Sequence, residues 1–156
     1  MGRKLEIGAG KSRIPGYETS DIIPGCDHLC DACSISSLGK FENLYAGMVL
    51  EHLRPWEISI ALKDWYEALE IGGTLKITVP DFENIVALFR RNKEEALHRL
   101  FGGSLVQGGE LDAPEQEHRW AFDKQLLRQY LVEAGFCEIE VVPVDSFLYA
   151  VAKRRV

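Results

Sequence analysis

The sequence predicts an α/β fold, a mostly parallel sheet wound through helices and closed by an antiparallel pair. Three observations predict it. The hydrophobic period switches repeatedly between strict alternation and a three-to-four-residue spacing, as strands alternating with helices require. Glycine or aspartate follows several of the short apolar runs, where a strand would hand over to a loop. The last two strand-like runs, 137–142 and 147–153, are separated only by Pro143 to Ser146, which is too short for a crossover and leaves an antiparallel hairpin.

The elements follow in order. Residues 4–8 (KLEIG) alternate and stop at glycine, giving strand 1. Short strands follow at 17–22 and 27–31, and 41–50 contains a fourth, centred on Leu44 to Ala46. Strands 1 and 2 are joined by only about nine residues, fewer than a normal parallel crossover takes, so the first crossover helix is truncated or absent. Ile58, Ala61, Leu62, Trp65 and Leu69 lie on one helical face, Pro55 suits the first turn, and Gly72-Gly73 end the helix. TLKITVP (74–80) is strand 5. One helix then runs from the Asp81 cap to Gly102-Gly103. Residues 102–121 read as a loop of about 20 residues, a length that in a compact domain marks either a functional segment, here a candidate active-site lid, or a misassigned element. Asp123 caps a helix over 124–134, with Phe122 and Leu127 as a hydrophobic staple, and strands 6 and 7 close the chain.

The chain's 156 residues are the size of one domain, read as 1–156 without subdivision, and suffice for a full core. Its 18 basic and 24 acidic residues give a net charge of −6, which argues against sequence-independent nucleic-acid binding. No apolar run is long enough to span a bilayer, and the first residues lack the apolar core of a signal peptide, so the expectation is a soluble cytoplasmic protein with no membrane partner. Its four cysteines are then reduced thiols.

The loop after strand 1, LEIGAGKSR, brings a ligand close to backbone. It is not a phosphate cradle of the GxxxxGK[ST] type, because Leu5 occupies the place of the first glycine. Nor is it the GxGxxG of dinucleotide sites, because Arg13 replaces the third glycine and the helix whose N-terminus would face a pyrophosphate is missing. S-adenosylmethionine carries no phosphate and needs acidic partners instead. Glu6-x-Gly8-x-Gly10 supplies a carboxylate and two glycines, Asp21 at the end of strand 2 can accept both ribose hydroxyls, and Asp31 at the end of strand 3 can take the adenine amino group. Ligands of open α/β sheets bind at such strand ends.

On these residues, with CDAC around Asp31, LYAGMVLEHL, ALEIGGTLKITVPD and LLRQYLVEAGF in order, the chain resembles the class I S-adenosylmethionine-dependent methyltransferases, close to the type 11 small-molecule group. The resemblance implies a Rossmann-like sheet of order 3-2-1-4-5-7-6 with strand 7 antiparallel. It implies S-adenosylmethionine as cofactor and S-adenosylhomocysteine as product. The implied cofactor residues are Glu6 near the methionine end, Gly8, Ala9 and Gly10 beneath it, Asp21 and Ile22 at the ribose, Asp31, Ala32 and Cys33 at the adenine, and Gly47 and Met48 at the sulfonium. The chain departs from the family in its short strand 1–2 link and in lacking N-terminal capping helices, a gap that a second copy could fill as a homodimer.

Cys26-x3-Cys30-x2-Cys33, with His28 among them, matches the spacing of radical S-adenosylmethionine enzymes and could also suggest zinc. The surrounding strand motif, the small size and Ala32 before the last cysteine favour packed thiols, and no metal ligands are assigned. On the acceptor side, Glu51 and His52 follow strand 4, and His118 ends the long loop. These three are the candidates to position or deprotonate a small-molecule acceptor, with bracing roles as the alternative. Trp56, Trp65 and Tyr66 read as packing, and Arg90 to Lys93 and Lys153 to Arg155 as solvated faces. The expected function is in-line methyl transfer to an oxygen or nitrogen of a small molecule. The alternative is a methyltransferase-like module without catalysis.

Overall fold

In the computed structural model, residues 2–102 and 117–156 are described. Among them, seven strands form one sheet: β1 Lys4–Ile7, β2 Glu18–Asp21, β3 His28–Leu29, β4 Phe41–Gly47, β5 Leu69–Pro80, β6 Cys137–Val144 and β7 Phe147–Lys153. Their order is β3-β2-β1-β4-β5-β7-β6. β1 to β5 pair in parallel, and β7 runs antiparallel to both β5 and β6. The helices are α1 Pro55–Ala68, α2 Phe82–Phe89, α3 Lys93–Phe101 and α4 Lys124–Glu133. The expected α/β class and strand order are both found.

The core lies between the sheet and its helices. Leu5, Leu44, Leu75 and Ala150 come from neighbouring strands, and Ile58, Leu62, Trp65, Leu127 and Leu131 from α1 and α4; all are essentially inaccessible. Asp81 caps α2 by accepting from the Glu83 amide, and Asp123 caps α4 by accepting from the Leu126 amide at 2.7 Å. Pro143 sits in β6, at the sheet edge, where its missing N–H costs nothing in the ladder.

Several boundaries differ from the sequence reading. Gly72 and Gly73 do not end α1; the helix stops at Ala68, and both glycines lie inside β5. There they make a bulge against β4, where Phe41 pairs with Leu69 but Asn43 with Thr74. A Cβ on Gly73 would stand 2.9 Å from the Glu70 carbonyl oxygen, which is why a side chain is excluded. The single helix expected after Asp81 is two helices, because Asn92 turns extended and its side chain caps α3 by accepting from the Glu95 amide. Arg154 is not part of a solvated face: its guanidinium donates to the Leu69 carbonyl at 2.7 Å and its backbone pairs with Gly73. The β6–β7 turn is only Asp145-Ser146, with Asp145 at φ +54°. Most of the expected 102–121 loop lies outside the described residues. The link between β1 and β2 contains no helix, as its length requires.

Candidate functional site

Because β1 to β4 are parallel, their carboxyl ends share one edge of the sheet. Gly8 follows β1, Asp21 ends β2, Cys30 and Asp31 follow β3, Gly47 ends β4 and Met48 follows it. These ends border an open cleft of about 700 Å³. Such a volume is within the range of sites for small ligands and cofactors.

Gly8 and Gly10 turn the chain at φ +64° and +51°, a region that side chains disfavour. The turn is braced from β2. The Ala9 amide donates to the Ser20 carbonyl at 3.0 Å, and the Gly10 amide donates to Asp21 Oδ2 at 2.7 Å. Asp21 Oδ1 accepts from the Ile23 amide at 3.1 Å. The carboxylate therefore fixes the glycine turn while lining the cleft, and each oxygen keeps further accepting capacity.

After β3 the chain enters a 3₁₀ segment, Ala32–Leu38, which the sequence reading did not anticipate. Asp31 starts it by accepting from the Cys33 amide at 2.7 Å. The indole N–H of buried Trp65 donates to the Ala32 carbonyl at 2.6 Å, so α1 fixes this wall of the cleft. At the end of β4, Met48 adopts φ +58°, and its amide donates to the Thr78 carbonyl at 2.8 Å. A left-handed backbone conformation at a non-glycine residue, held by the neighbouring strand at a cleft wall, is strain stored at a candidate site.

Of the residues singled out from sequence, Gly8, Gly10, Asp21, Ile22, Asp31, Ala32, Gly47, Met48, His52 and His118 line this cleft, as does Cys30 of the cysteine cluster. Glu6, Ala9, Cys33 and Glu51 stand outside its wall. Glu6 is buried in β1 with Oε2 unpartnered, Ala9 is buried within the turn, and the Cys33 thiol points to the Glu57 carbonyl. The wall also contains Ile23, Val49, Leu53, Glu57 and Arg119, which the sequence reading missed. Glu57 carried a signal: it stands three residues after Arg54, at the helix start, and its carboxylate accepts from the Arg54 amide at 2.7 Å.

The cysteine cluster does not converge. The Cys26 thiol faces the Gly10 carbonyl, Cys30 the Ser34 carbonyl and Cys33 the Glu57 carbonyl. His28 Nε2 is engaged with Glu18 at 2.8 Å. Burial, with the Asp31 carboxylate beside it, pushes the Cys33 thiol up to about 12, the opposite of what a thiolate ligand needs.

On the acceptor side, Glu51 and His52 lie on a 3₁₀ turn, Leu50–His52, directly after β4. The Glu51 carbonyl accepts from the Arg119 amide at 2.7 Å and the Trp120 amide at 3.2 Å. This pairing carries His118 to His52, and their rings meet edge to face with centroids 5.0 Å apart. Burial pushes the Glu51 carboxyl up to about 8 and lowers both histidines below the usual imidazole range.

No protein-family model matches the chain, and no curated protein matches it. Solved structures do. A S-adenosylmethionine-dependent methyltransferase from Thermotoga maritima superposes with TM-score 0.68 at 17% identity, covering 99% of this chain and 83% of that one. One from Methanosarcina mazei gives TM-score 0.67 at 15% identity, covering 99% and 93%. The Burkholderia thailandensis 1,6-didemethyltoxoflavin-N1-methyltransferase, solved with its substrate and S-adenosylhomocysteine, gives TM-score 0.63 at 16% identity, covering 99% and 72%. The fold is that of the class I S-adenosylmethionine-dependent methyltransferases. Some structures of this class are longer: the chain spans 49% of the CurJ carbon methyltransferase structure. Among the described residues, no helix is long and apolar enough to cross a membrane.

Proposed function

We propose that this chain is an S-adenosylmethionine-dependent methyltransferase that passes a methyl group in-line to an oxygen or nitrogen of a small molecule, releasing S-adenosylhomocysteine. The observation that carries the reading is the convergence of Gly8, Gly10, Asp21, Asp31 and Met48 on one cleft at the carboxyl ends of the parallel strands. In this reading the nucleoside lies across the glycine turn with its ribose hydroxyls on Asp21. The base lies between Ile22 and Ala32, its amino group donating to Asp31. The sulfonium faces Gly47 and Met48. Backbone held close at Gly8 and Gly10 leaves room for the methionine portion.

The transfer needs the acceptor held in line with the carbon–sulfur bond and water kept out; this alignment lowers the barrier by removing the entropic cost of encounter. His52 and His118 share the cleft wall with Met48 and so border the space an acceptor would fill. Both are biased towards the neutral imidazole, the form that can accept a proton from an acceptor hydroxyl. A cleft of this size suits a small acceptor.

Calorimetric titration with S-adenosylhomocysteine tests the reading. Wild type is expected to bind with micromolar affinity. Asp21→Asn retains a side chain able to hold the Gly10 amide but loses the charged acceptor, and should weaken binding about 10- to 100-fold. Absence of binding at millimolar ligand would refute the proposal. Binding of the cofactor without turnover of any acceptor by a folded, cofactor-competent protein would favour the non-catalytic module.

A further inference from the structure

We infer that Glu51, His52 and His118 form a binding site for a divalent transition metal, with zinc the best match, at the acceptor end of the cleft. One ligand atom from each residue lies within 4.8 Å of the others. Two imidazoles and one carboxylate are a ligand set that zinc accepts, with coordination positions left open.

The histidines are prepared for this role. His52 Nδ1 lies 3.1 Å from the Glu117 carbonyl and His118 Nδ1 lies 3.0 Å from the Arg99 carbonyl. A carbonyl only accepts, so each Nδ1 carries the proton and each Nε2 is left as a lone pair. Orientation of a ligating imidazole by a hydrogen bond from its other nitrogen is the common arrangement around protein-bound metals. The backbone is held too: the Glu51 carbonyl accepts the Arg119 and Trp120 amides, and the His118 amide donates to the Phe101 carbonyl.

Glu51 is the second and independent observation. Its side chain is 1% exposed, and neither carboxylate oxygen has a hydrogen-bond partner. A carboxyl group in that position is costly unless something compensates it. His52 Nε2 lies 3.9 Å from Glu51 Oε1, and a small void of about 10 Å³, the size of a single water or ion, is lined by both Glu51 and His118. Metal–ligand bonds of about 2.0–2.1 Å require the three atoms to draw together by roughly 1 Å. Rotation of the side chains can supply this.

Because His52 and His118 also line the main cleft, the open coordination positions face the space for the acceptor. An acceptor hydroxyl bound there would be held near the methyl group with its proton made more acidic by the metal, a role that replaces proton acceptance by His52 and His118, whose Nε2 lone pairs the metal then occupies. That role rests on the methyl-transfer reading; the metal site itself does not.

The test begins with the chelator-stripped chain of residues 1–156, equilibrated with zinc chloride and assayed for bound metal, beside a parallel titration with S-adenosylhomocysteine. A single zinc per chain is expected, and Glu51→Gln, His52→Ala and His118→Ala should each weaken it about 100-fold or more. The triple variant Cys26→Ser/Cys30→Ser/Cys33→Ser should bind zinc as wild type does. Glu51→Gln keeps the side-chain volume and removes no hydrogen bond, since neither Glu51 carboxylate oxygen makes one, so a melting temperature equal to that of metal-free wild type separates ligand loss from misfolding. Zinc binding unchanged in the three triad variants, or abolished in the serine variant, overturns the inference. So does the lack of binding by wild type. If S-adenosylhomocysteine binds metal-free protein while zinc does not bind, this inference alone fails; the reverse result leaves the metal site and removes the methyl-transfer reading.

Discussion

Gly8 and Gly10 look alike in sequence, yet their substitution should have different consequences. A Cβ on Gly8 would lie 2.6 Å from Val49 Cγ2, and the residue sits at φ +64°. Alanine there adds left-handed strain of about 1–2 kcal/mol and an overpacking cost of about 1–3 kcal/mol. The reduced freedom of the unfolded chain returns about 0.4–1 kcal/mol. A net loss of about 2–4 kcal/mol follows, which for a domain of this size lowers the melting temperature by roughly 5–15 °C. A Cβ on Gly10 meets nothing within 4 Å, so only the strain at φ +51° remains. Gly10→Ala should cost about 1 kcal/mol, roughly 2–4 °C, yet fill space at the cleft and weaken S-adenosylhomocysteine about tenfold. Thermal and urea unfolding of Gly8→Ala, Val49→Ala and the double variant measure the clash directly. Removing Val49 Cγ2 should recover about 1–3 kcal/mol as a coupling term. Additivity within about 0.5 kcal/mol, or equal destabilisation by Gly10→Ala, would refute the reasoning.

Two further predictions concern the elements that hold the site. The Arg3 guanidinium, 2.7 Å away, and then His28 hold the Glu18 carboxyl down at about 2 against burial. Since the folded value lies below the unfolded 4.5, the stabilisation is present above 4.5 and is lost as the pH falls through that window towards 2. The pair is partly exposed, so solvent screening limits it to about 1 kcal/mol, and Glu18→Gln should flatten the acid limb of melting temperature against pH by roughly 2–4 °C. An unchanged acid limb would contradict the assignment. Trp65→Phe removes the donor to the Ala32 carbonyl. It should cost about 0.5–1.5 kcal/mol in urea unfolding and weaken S-adenosylhomocysteine severalfold, because the same carbonyl belongs to the wall proposed for the base. Full retention of affinity would detach that wall from α1.

Much of the architecture was legible because the apolar periods are unambiguous. The face of α1 from Ile58 to Trp65, the alternation in β1 and β7, and the caps Asp81 and Asp123 each combine a local preference with a burial pattern. The misreadings occurred where tertiary context overrides local preference. Gly72-Gly73 have the composition of a helix stop, but their conformations are used by a bulge that only the neighbouring β4 defines. Asn92 breaks one apolar helix pattern into two because its side chain caps the second. Arg154 carries charge in a terminal run, yet the unpaired carbonyls left by the end of α1 and the start of β5 draw it inward. At the site, Asp21 and the glycines follow from strand ends. The Glu51–His52–His118 grouping depends on backbone hydrogen bonds between segments more than 60 residues apart, which the spacing of those residues along the chain does not report.

The most direct measurement is a crystal structure of the protein grown with S-adenosylhomocysteine. The account predicts density along the strand ends, with both ribose hydroxyls donating to Asp21, the adenine against Ile22 and Ala32, and the sulfur facing Gly47 and Met48. Ligand bound elsewhere on the molecule, or a cleft left unoccupied at saturating ligand, would contradict it.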